Sequence, residues 1–265
     1  MSRPETRRLV LPTYLGLVKQ IDDHLGRLLG ELERLGRLDD TMVVFTSDHG
    51  EYMGDHWMGE KDWINEEVVR VPMIIVDPRS QADVTRGTKS NELVEAIDLL
   101  PTFIEALGGE NETRRQWLEG ESLLPLLHGE RGTRREFAVC EADWGFLEMS
   151  NHLGATTEPR RRRATMLRND RFKYVLSEIG SNLLYDLDED PCEQCDRFDD
   201  PSLESAIADL HEQLFEWFRS RHHDTTYSDE MITATTVPGS TAKRGIMIGY
   251  WDEQELSAGM RGELF

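Results

Sequence analysis

The sequence predicts an α/β protein, and the order of its apolar segments is the main reason. Residues 13–36 place apolar side chains three and four positions apart, which is typical of an amphipathic helix that stops at Gly36. Two short, β-rich apolar runs follow at 41–46 and 71–76, and a second helix is predicted over about 91–107. A helix, a strand buried on both faces, a long loop, a second buried strand and a helix are the order expected of a parallel α/β sheet.

The pattern changes after about residue 130. Short strands are predicted at 136–141, 164–168, 172–176 and 182–186, and turn-forming residues between the later runs favour hairpins. An amphipathic helix should follow from about Ser202 to Arg221, with Ser202 as its N-cap and Glu204 in its first turn. We therefore predict three parts, which are a parallel-sheet part over 1–130, a small α+β subdomain with an antiparallel sheet over 131–224, and a tail over 225–265.

Composition excludes several classes of function. The formal net charge of −21 argues against nucleic acid as a partner, because phosphate backbones require surfaces rich in Lys and Arg. No apolar run approaches the roughly 20 residues that span a bilayer, so no membrane partner is predicted. No signal peptide is recognisable, which predicts a cytoplasmic protein and leaves the periplasm open if upstream sequence is missing.

The three cysteines do not form a disulfide framework. Cys192 and Cys195 form a C-x-x-C pair, which is compatible with zinc or redox chemistry. A structural zinc site would require two further ligands, and Cys140 and the scattered histidines offer no matching spacing. We interpret the cysteines as incidental.

The segment with the clearest chemistry is Ser47–Glu51. Asp48 and His49 stand where a predicted strand gives way to a loop, which is where ligand sites of parallel α/β sheets lie. A carboxylate oxygen and an imidazole nitrogen are both standard ligands of divalent ions. Gly50 would allow the backbone to turn tightly beside them. Alone, an Asp-His-Gly triplet is a weak signal, because an Asp that starts a turn beside a hydrogen-bonded His is common.

A longer set of motifs makes the signal specific. Ser47–Glu51, Met53–His56, Lys61 and Arg70–Ile74 resemble, in order and spacing, the S-D-H-G-E, L-G-D/E-H, G-K and R-V/I-P-L-I motifs of sulfatases and phosphonate monoester hydrolases, in the alkaline phosphatase superfamily. The resemblance covers about residues 13–222. It extends to Tyr14-Leu15-Gly16 with Ile21-Asp22-Asp23, to Asp98–Thr102, and to Leu184–Leu187 with Asp190-Pro191 and Glu193. It implies the C-terminal part of an alkaline-phosphatase-like parallel-sheet domain, followed by the small subdomain.

The resemblance also implies roles for particular residues. Asp48 and His49 match metal ligands of the family, and one divalent ion, Mn²⁺ or Ca²⁺, is implied. Lys61 matches the lysine that contacts the sulfuryl or phosphoryl oxygens of the substrate. For His56 a catalytic contact and a supporting or packing role both stay open, and Glu51 either supports a ligand or lies on the surface. The implied partner is a small-molecule sulfate or phosphonate ester.

The sequence also departs from the family pattern. The family makes its formylglycine nucleophile from a C/S-x-P-x-R motif, and Ser2–Thr6 imitates only the start of it, with Thr6 in place of Arg. The resemblance therefore implies a chain that lacks the nucleophile half and is inactive alone. Sulfate, phosphonate and phosphate esters stay open as substrates, although Arg244–Gly249 looks more like phosphonate monoester hydrolases.

Two alternatives to such a hydrolase stay open. One is a two-metal phosphatase of the same superfamily, and the other is a non-catalytic binding or assembly module. The C-terminal tails of the family often lie in subunit contacts. The resemblance therefore makes 225–265 a candidate interface of a possible homo-oligomer.

Overall fold

The computed structural model describes residues 4–61, 63–109, 118–130, 135–143, 163–178 and 180–220. The predicted tail at 225–265 lies outside the described residues, as do Ser2 and Arg3 of the motif that imitates a nucleophile site. Within the described ranges, no helix combines the length and apolar character that crossing a membrane would require.

Helix α1 extends from Pro4 to Arg34, so it begins earlier than predicted and ends near the predicted stop. Gly36 adopts a φ of +64°, the left-handed conformation with which glycine commonly ends a helix. Several apolar side chains of the predicted stripe are more than half exposed, namely Leu15, Leu17, Ile21 and Leu28. The apolar stripe of α1 therefore faces solvent over much of its length.

The predicted parallel arrangement of the first two strands is wrong. Strand β1 (Val43–Thr46) pairs antiparallel with β2 (Met73–Val76), and Phe45 lies opposite Ile74. Parallel neighbours need a crossover connection, usually a helix of several turns, whereas here the linking residues contain α2 (Glu66–Val69), which has only four residues. The strands are also not buried on both faces, because the sheet that they form in the described chain has only two strands.

The second predicted helix is shorter than expected. A 3₁₀ turn at Ala96–Asp98 leads directly into helix α3 (Leu99–Ala106), so the predicted start near residue 91 is wrong. The physical reason is a capping box, in which Glu95 N–H donates to Asp98 Oδ2 at 2.7 Å and fixes the helix start there. A further short helix, α4, spans Leu124–Leu127.

The Asp98–Thr102 motif has a structural function in this fold. Asp98 is buried and accepts hydrogen bonds from Arg135 Nη2 at 2.5 Å and from Glu121 N at 2.9 Å. Thr102 Oγ1 donates to Asp98 O and accepts from Leu123 N. The motif therefore anchors the segments around residues 121–123 and 135 to the start of α3.

The predicted antiparallel sheet is confirmed. Its four strands lie in the order in which they occur along the chain. Every neighbouring pair is antiparallel. Asn169 Oδ1 accepts from the backbone N–H groups of Arg171 and Phe172 and so stabilises the predicted turn between the second and third strands. The strands are β3 (Ala138–Asp143), β4 (Arg163–Arg168), β5 (Phe172–Ser177) and β6 (Leu183–Asp186).

This sheet is covered on both faces. Alternation along its strands sends Leu167 and Tyr174 to one face, where they pack with Leu210 and Leu214 of helix α5 (Glu204–Ser220). On the opposite face a second cluster forms, made of Ile64, Ala164, Met166 and Val175. Ile64 belongs to the segment that leads into α2, so the C-terminal sheet packs directly against the neighbourhood of the predicted functional motif.

The predicted cap of the last helix needs a correction. Asp200, rather than Ser202, is the N-cap, and its Oδ1 accepts from Ser202 N at 2.9 Å and from Ser202 Oγ at 2.6 Å. The reason is that a 3₁₀ turn at Pro201–Leu203 precedes α5, which moves the first free N–H groups toward the N-terminus.

The buried carboxylate that follows β2 gives a testable pH dependence. Asp77 accepts hydrogen bonds from Arg79 Nε at 2.9 Å and Nη2 at 2.7 Å, and its Oδ2 lies 3.0 Å from His128 Nε2. The guanidinium of Arg79 holds the pKa of Asp77 well below its usual range. Such a group stabilises the fold at pH values above its unfolded pKa of about 3.9, and this contribution is lost as the pH falls toward the folded pKa.

We therefore expect Asp77→Asn to lower the free energy of unfolding at pH 7 by about 1.5–3 kcal/mol, the range for hydrogen bonds to charged groups. The difference from the parent chain should be constant above about pH 5 and should shrink below about pH 4. Urea unfolding followed by circular dichroism at several pH values measures it. Asp83→Asn, at an exposed pair with Arg86, is the matched control and should show little change at any pH. A difference for Asp77→Asn that is as large at pH 3 as at pH 7 would contradict this assignment.

Candidate metal and anion site

The candidate site begins where strand β1 ends at Thr46. Ser47 Oγ donates to His49 O at 2.8 Å and closes a tight turn directly after the strand. This turn places Asp48 and His49 side by side, with Asp48 Oδ2 3.6 Å from His49 Nε2. The two predicted metal ligands are therefore close enough in space to bind one ion together.

The hydrogen bonds of His49 suit a metal ligand. Nδ1 of its ring lies 2.7 Å from the carbonyl oxygen of Gly50, which can only accept, so Nδ1 carries the proton. The neutral ring then presents the lone pair of Nε2 on the side of Asp48. Backbone carbonyls that hold the other ring nitrogen are the usual partners of metal-binding histidines. The donor set of one carboxylate and one imidazole fits a divalent ion.

Lys61 converges on the same point from the far end of the loop. Its Nζ lies 2.9 Å from His49 Nε2, across twelve residues of sequence. The ammonium group donates to the free lone pair of the ring, because a lysine ammonium has no acceptor. The structure thus brings together Asp48, His49 and Lys61, the three residues for which the family resemblance implied a shared site.

The electrostatics of Asp48 favour its ionised form. Backbone N–H groups of Asp48 itself and of His49 lower the pKa of its carboxyl group, and His49 N lies 3.0 Å from Oδ1. Its side chain is 84% exposed, whereas that of His49 is 36% exposed. In the described part of the chain Asp48 therefore presents an exposed anionic group that a cation can approach from solvent.

Gly50 is required for a different reason from the one that the sequence suggested. Its N–H donates to Val68 O at 2.7 Å, so the backbone of α2 lies directly against it. A Cβ atom built on Gly50 would lie 1.9 Å from Glu67 O, which no side-chain movement can relieve. The close approach of two backbones, rather than a turn with positive φ, therefore makes glycine necessary beside His49.

The loop between His49 and Lys61 is held by Glu51. Its Oε1 accepts from Glu60 N at 2.6 Å and from Met53 N at 3.3 Å. Four residues of the loop have a positive φ without being glycine, namely Met53, His56, Trp57 and Glu60. Such conformations cost free energy and persist only where the surroundings impose them. Glu51 therefore fixes the shape of the loop that presents Lys61.

His56 points to a different part of the fold. Its Nε2 lies 3.4 Å from Glu67 Oε2, and its ring makes an edge contact with Tyr52 at 5.9 Å between centroids. The side chain is mostly buried. The catalytic role predicted for His56 stays a prediction, and its contacts in the described chain place it beside α2.

Sequence analysis missed a charged network behind the loop. Lys173 of β5 is buried and reaches Glu66 Oε1 at 2.8 Å and Glu193 Oε1 at 2.6 Å. Glu193 Oε2 accepts from Glu66 N at 2.7 Å, which ties the turn at 192–195 to the start of α2. Two features of the sequence could have indicated this network, namely a lysine inside an apolar strand and the match of Glu193 to a family motif. The significance of the C-x-x-C turn is therefore Glu193, since its two cysteines are free and exposed.

Comparison with known proteins agrees with these motifs. A family model described as Sulfatase matches residues 2–109. The multifunctional alkaline phosphatase superfamily protein PehA of Trinickia caryophylli is 32% identical over 223 residues, which are 83% of this chain and 42% of that protein. A solved structure of the phosphonate monoester hydrolase of Agrobacterium radiobacter superposes with a TM-score of 0.70 at 32% identity, covering 79% of this chain and 41% of that one.

The chain belongs to the sulfatase and phosphonate monoester hydrolase family. It also resembles the N-acetylglucosamine-6-O-sulfatase of Bacteroides thetaiotaomicron, with 32% identity over 68% of this chain and 30% of that protein. The chain spans less than half the length of these relatives. The proteins that this member of the family resembles thus include a sulfatase as well as a phosphonate monoester hydrolase.

Proposed function

We propose that this chain contributes a metal-binding pair and an anion-binding lysine to a hydrolase of sulfate or phosphonate monoesters. The observation that supports this most directly is the approach of Lys61 Nζ to within 2.9 Å of His49 Nε2, on a histidine whose other ring nitrogen is held by a carbonyl. A cation held beside a candidate metal ligand is suited to an anionic ester, whose oxygens gain charge in the transition state.

In this proposal Asp48 and His49 hold one divalent ion, Mn²⁺ or Ca²⁺, through a carboxylate oxygen and Nε2. When bound, the ion would act as a Lewis acid toward the ester oxygens. The bond between Nδ1 and Gly50 O keeps the ring in the tautomer that can bind metal. Asp48 supplies the negative charge, which its exposed position leaves accessible.

Lys61 has two states in this proposal. In the structure its ammonium donates to His49 Nε2, a position that a metal-bound ring cannot offer it. With metal present, the ammonium is released to contact the oxygens of a sulfate or phosphonate group. Glu51 keeps the loop that presents Lys61 in one shape, through its bonds to Met53 N and Glu60 N.

Binding measurements on the purified chain test this proposal. We expect Mn²⁺ titrated into the metal-free chain to bind. Asp48→Asn should lower the Mn²⁺ affinity by about 10–100-fold, which is the loss known for substituting a residue that only hydrogen-bonds to a metal ligand. Lys61→Met should not weaken Mn²⁺ binding and should strengthen it, because the ammonium competes with the ion for His49 Nε2. The same substitution should abolish metal-dependent binding of methylphosphonate or sulfate. Lys89→Met, at an exposed loop lysine, is the matched control. Anion binding that survives Lys61→Met would refute the role of this lysine.

An activity measurement complements the binding data. Aryl sulfate and aryl phosphonate esters are offered to the chain with Mn²⁺ and with chelator. Because the printed sequence contains no C/S-x-P-x-R motif, we expect hydrolysis at the buffer rate in both cases. Metal-dependent turnover that is lost in Lys61→Met would mean that another residue of this chain serves as nucleophile, and the preferred ester would then identify the substrate class.

A further inference from the structure

A second group of possible metal ligands lies beneath the loop that presents Lys61. His56, Glu67 and Glu193 come from three separate segments, which are the loop, α2 and the turn at 192–195. Each directs one possible ligand atom toward the others, and these atoms all lie within 4.8 Å of one another. Their side chains are 15%, 22% and 0% exposed, respectively. Unlike Asp48, this cluster is enclosed by the fold.

Two of the three atoms, His56 Nε2 and Glu67 Oε2, have no partner outside the cluster in the described chain, whereas Glu193 Oε1 is ion-paired with Lys173 Nζ. His56 Nε2, Glu67 Oε2 and Glu193 Oε1 are shielded from solvent, and none makes a hydrogen bond in the described chain. His56 Nε2 and Glu67 Oε2 lie 3.4 Å apart, beyond the usual N–H···O range of about 2.7–3.2 Å. Two ligands bonded at about 2.0–2.1 Å to one tetrahedral ion lie about 3.4 Å apart. The spacing therefore fits two ligands of a common ion better than a direct hydrogen bond.

Charge counting leads to the same conclusion. Glu193 Oε1 lies 2.6 Å from Lys173 Nζ, an ion pair without hydrogen-bond geometry, and Lys173 also contacts Glu66 Oε1 and Ile64 O. Arg168 adds a second cation, with its Nε 3.8 Å from Glu66 Oε1. Three carboxylates therefore face two fixed cations, and Glu67 is the carboxylate that neither cation contacts. Buried charges in proteins are paired or coordinate metals, and a carboxylate oxygen that meets an ammonium retains a second lone pair.

We propose that His56, Glu67 and Glu193 bind one Zn²⁺-like ion, separate from the ion of Asp48 and His49. One imidazole nitrogen and two carboxylate oxygens suit such an ion, and a water could complete its coordination. The ion joins the loop and α2 to the turn that follows the C-terminal sheet, so its role is structural. Two metal ions per chain would then not by themselves indicate a two-metal phosphatase.

The test uses a chain in which the site of Asp48 and His49, called the outer site, is disabled. Asp48→Asn/His49→Gln leaves the buried cluster intact, and this variant should still bind one equivalent of Zn²⁺ by calorimetry and by metal analysis after dialysis. Its unfolding midpoint should rise with Zn²⁺, because a ligand that binds only the native state stabilises it. If this variant binds no Zn²⁺, the proposal is wrong, and a proton between His56 and Glu67 is the better account of the cluster.

Variants of the cluster locate the ion. Adding Glu67→Gln, which keeps the shape of the side chain, should weaken Zn²⁺ binding at least about 100-fold, the upper end of the loss from disturbing an outer partner. Far-UV circular dichroism verifies that this triple variant is folded. Unchanged Zn²⁺ affinity in it would overturn the assignment. Co²⁺ in the outer-site variant provides a spectroscopic readout that needs no further substitution, since intense visible bands are expected of tetrahedral coordination and weak ones would contradict it.

Discussion

Lys173→Met should lower the free energy of unfolding by about 3–5 kcal/mol, the range for breaking a buried ion pair by removing one partner. The side chain of Lys173 is 1% exposed and its Nζ reaches Glu66, Glu193 and the carbonyl of Ile64. Methionine fills most of the volume but leaves Glu193 without its cation and Glu66 with only the more distant Arg168, at 3.8 Å. Urea unfolding at pH 7, with chelator present so that no metal contributes, measures the loss.

The controls for Lys173 separate charge from packing. Lys19→Met removes an exposed pair with Asp23 and should cost less than about 1 kcal/mol. Lys173→Met/Glu193→Gln removes one of the stranded carboxylates, so the double variant should be more stable than the sum of the two single losses predicts. A loss below about 1 kcal/mol for Lys173→Met would mean that the network is solvated and contributes little to the fold.

Gly50→Ala is expected to lower the free energy of unfolding by about 2–3 kcal/mol, the upper part of the range for overpacking. The new Cβ would lie 1.9 Å from Glu67 O, so either the turn or α2 must shift. A shift stretches the bond from Gly50 N to Val68 O and moves the carbonyl that holds His49 Nδ1. Mn²⁺ affinity at Asp48 and His49 should therefore fall together with stability.

Gly26→Ala is the matched control for Gly50→Ala. Gly26 is exposed and lies in the middle of α1, and a Cβ atom added there would meet nothing within 4 Å. There alanine should stabilise the helix by about 0.5–1 kcal/mol, because glycine loses more conformational entropy on folding. The same substitution should thus have opposite signs at the two positions. If Gly50→Ala changed neither the free energy of unfolding nor the Mn²⁺ affinity, the turn and α2 would not be in the close contact seen here.

The two measurements also separate the roles of neighbouring groups. Lys173 acts on α2 from the C-terminal sheet, whereas Gly50 acts on it from the turn that holds the candidate metal ligands. If both substitutions weaken Mn²⁺ binding at Asp48 and His49, α2 is a common support for the site. If only Gly50→Ala does so, the charged network stabilises the fold without positioning the ligands.

The sequence alone determined the features that depend on local patterns. Apolar residues three and four positions apart located α1 and α5, although the stripe of α1 faces solvent over much of its length. Short apolar runs separated by turn residues located the four strands of the C-terminal sheet. The resemblance to the family's motifs predicted a shared site for Asp48, His49 and Lys61, and these three residues lie within one loop. The order and spacing of the motifs also indicated the sulfatase family.

Only the tertiary structure decided the features that depend on contacts between distant segments. The antiparallel pairing of β1 with β2 follows from the path of residues 47–72, which no periodic pattern records. The need for glycine at position 50 arises from the approach of α2. The cluster of His56, Glu67 and Glu193 joins residues far apart in the chain. These side chains meet because the C-terminal sheet packs on the segment before α2. Packing between distant segments produces no periodic pattern in the sequence, so the sequence alone could not predict it.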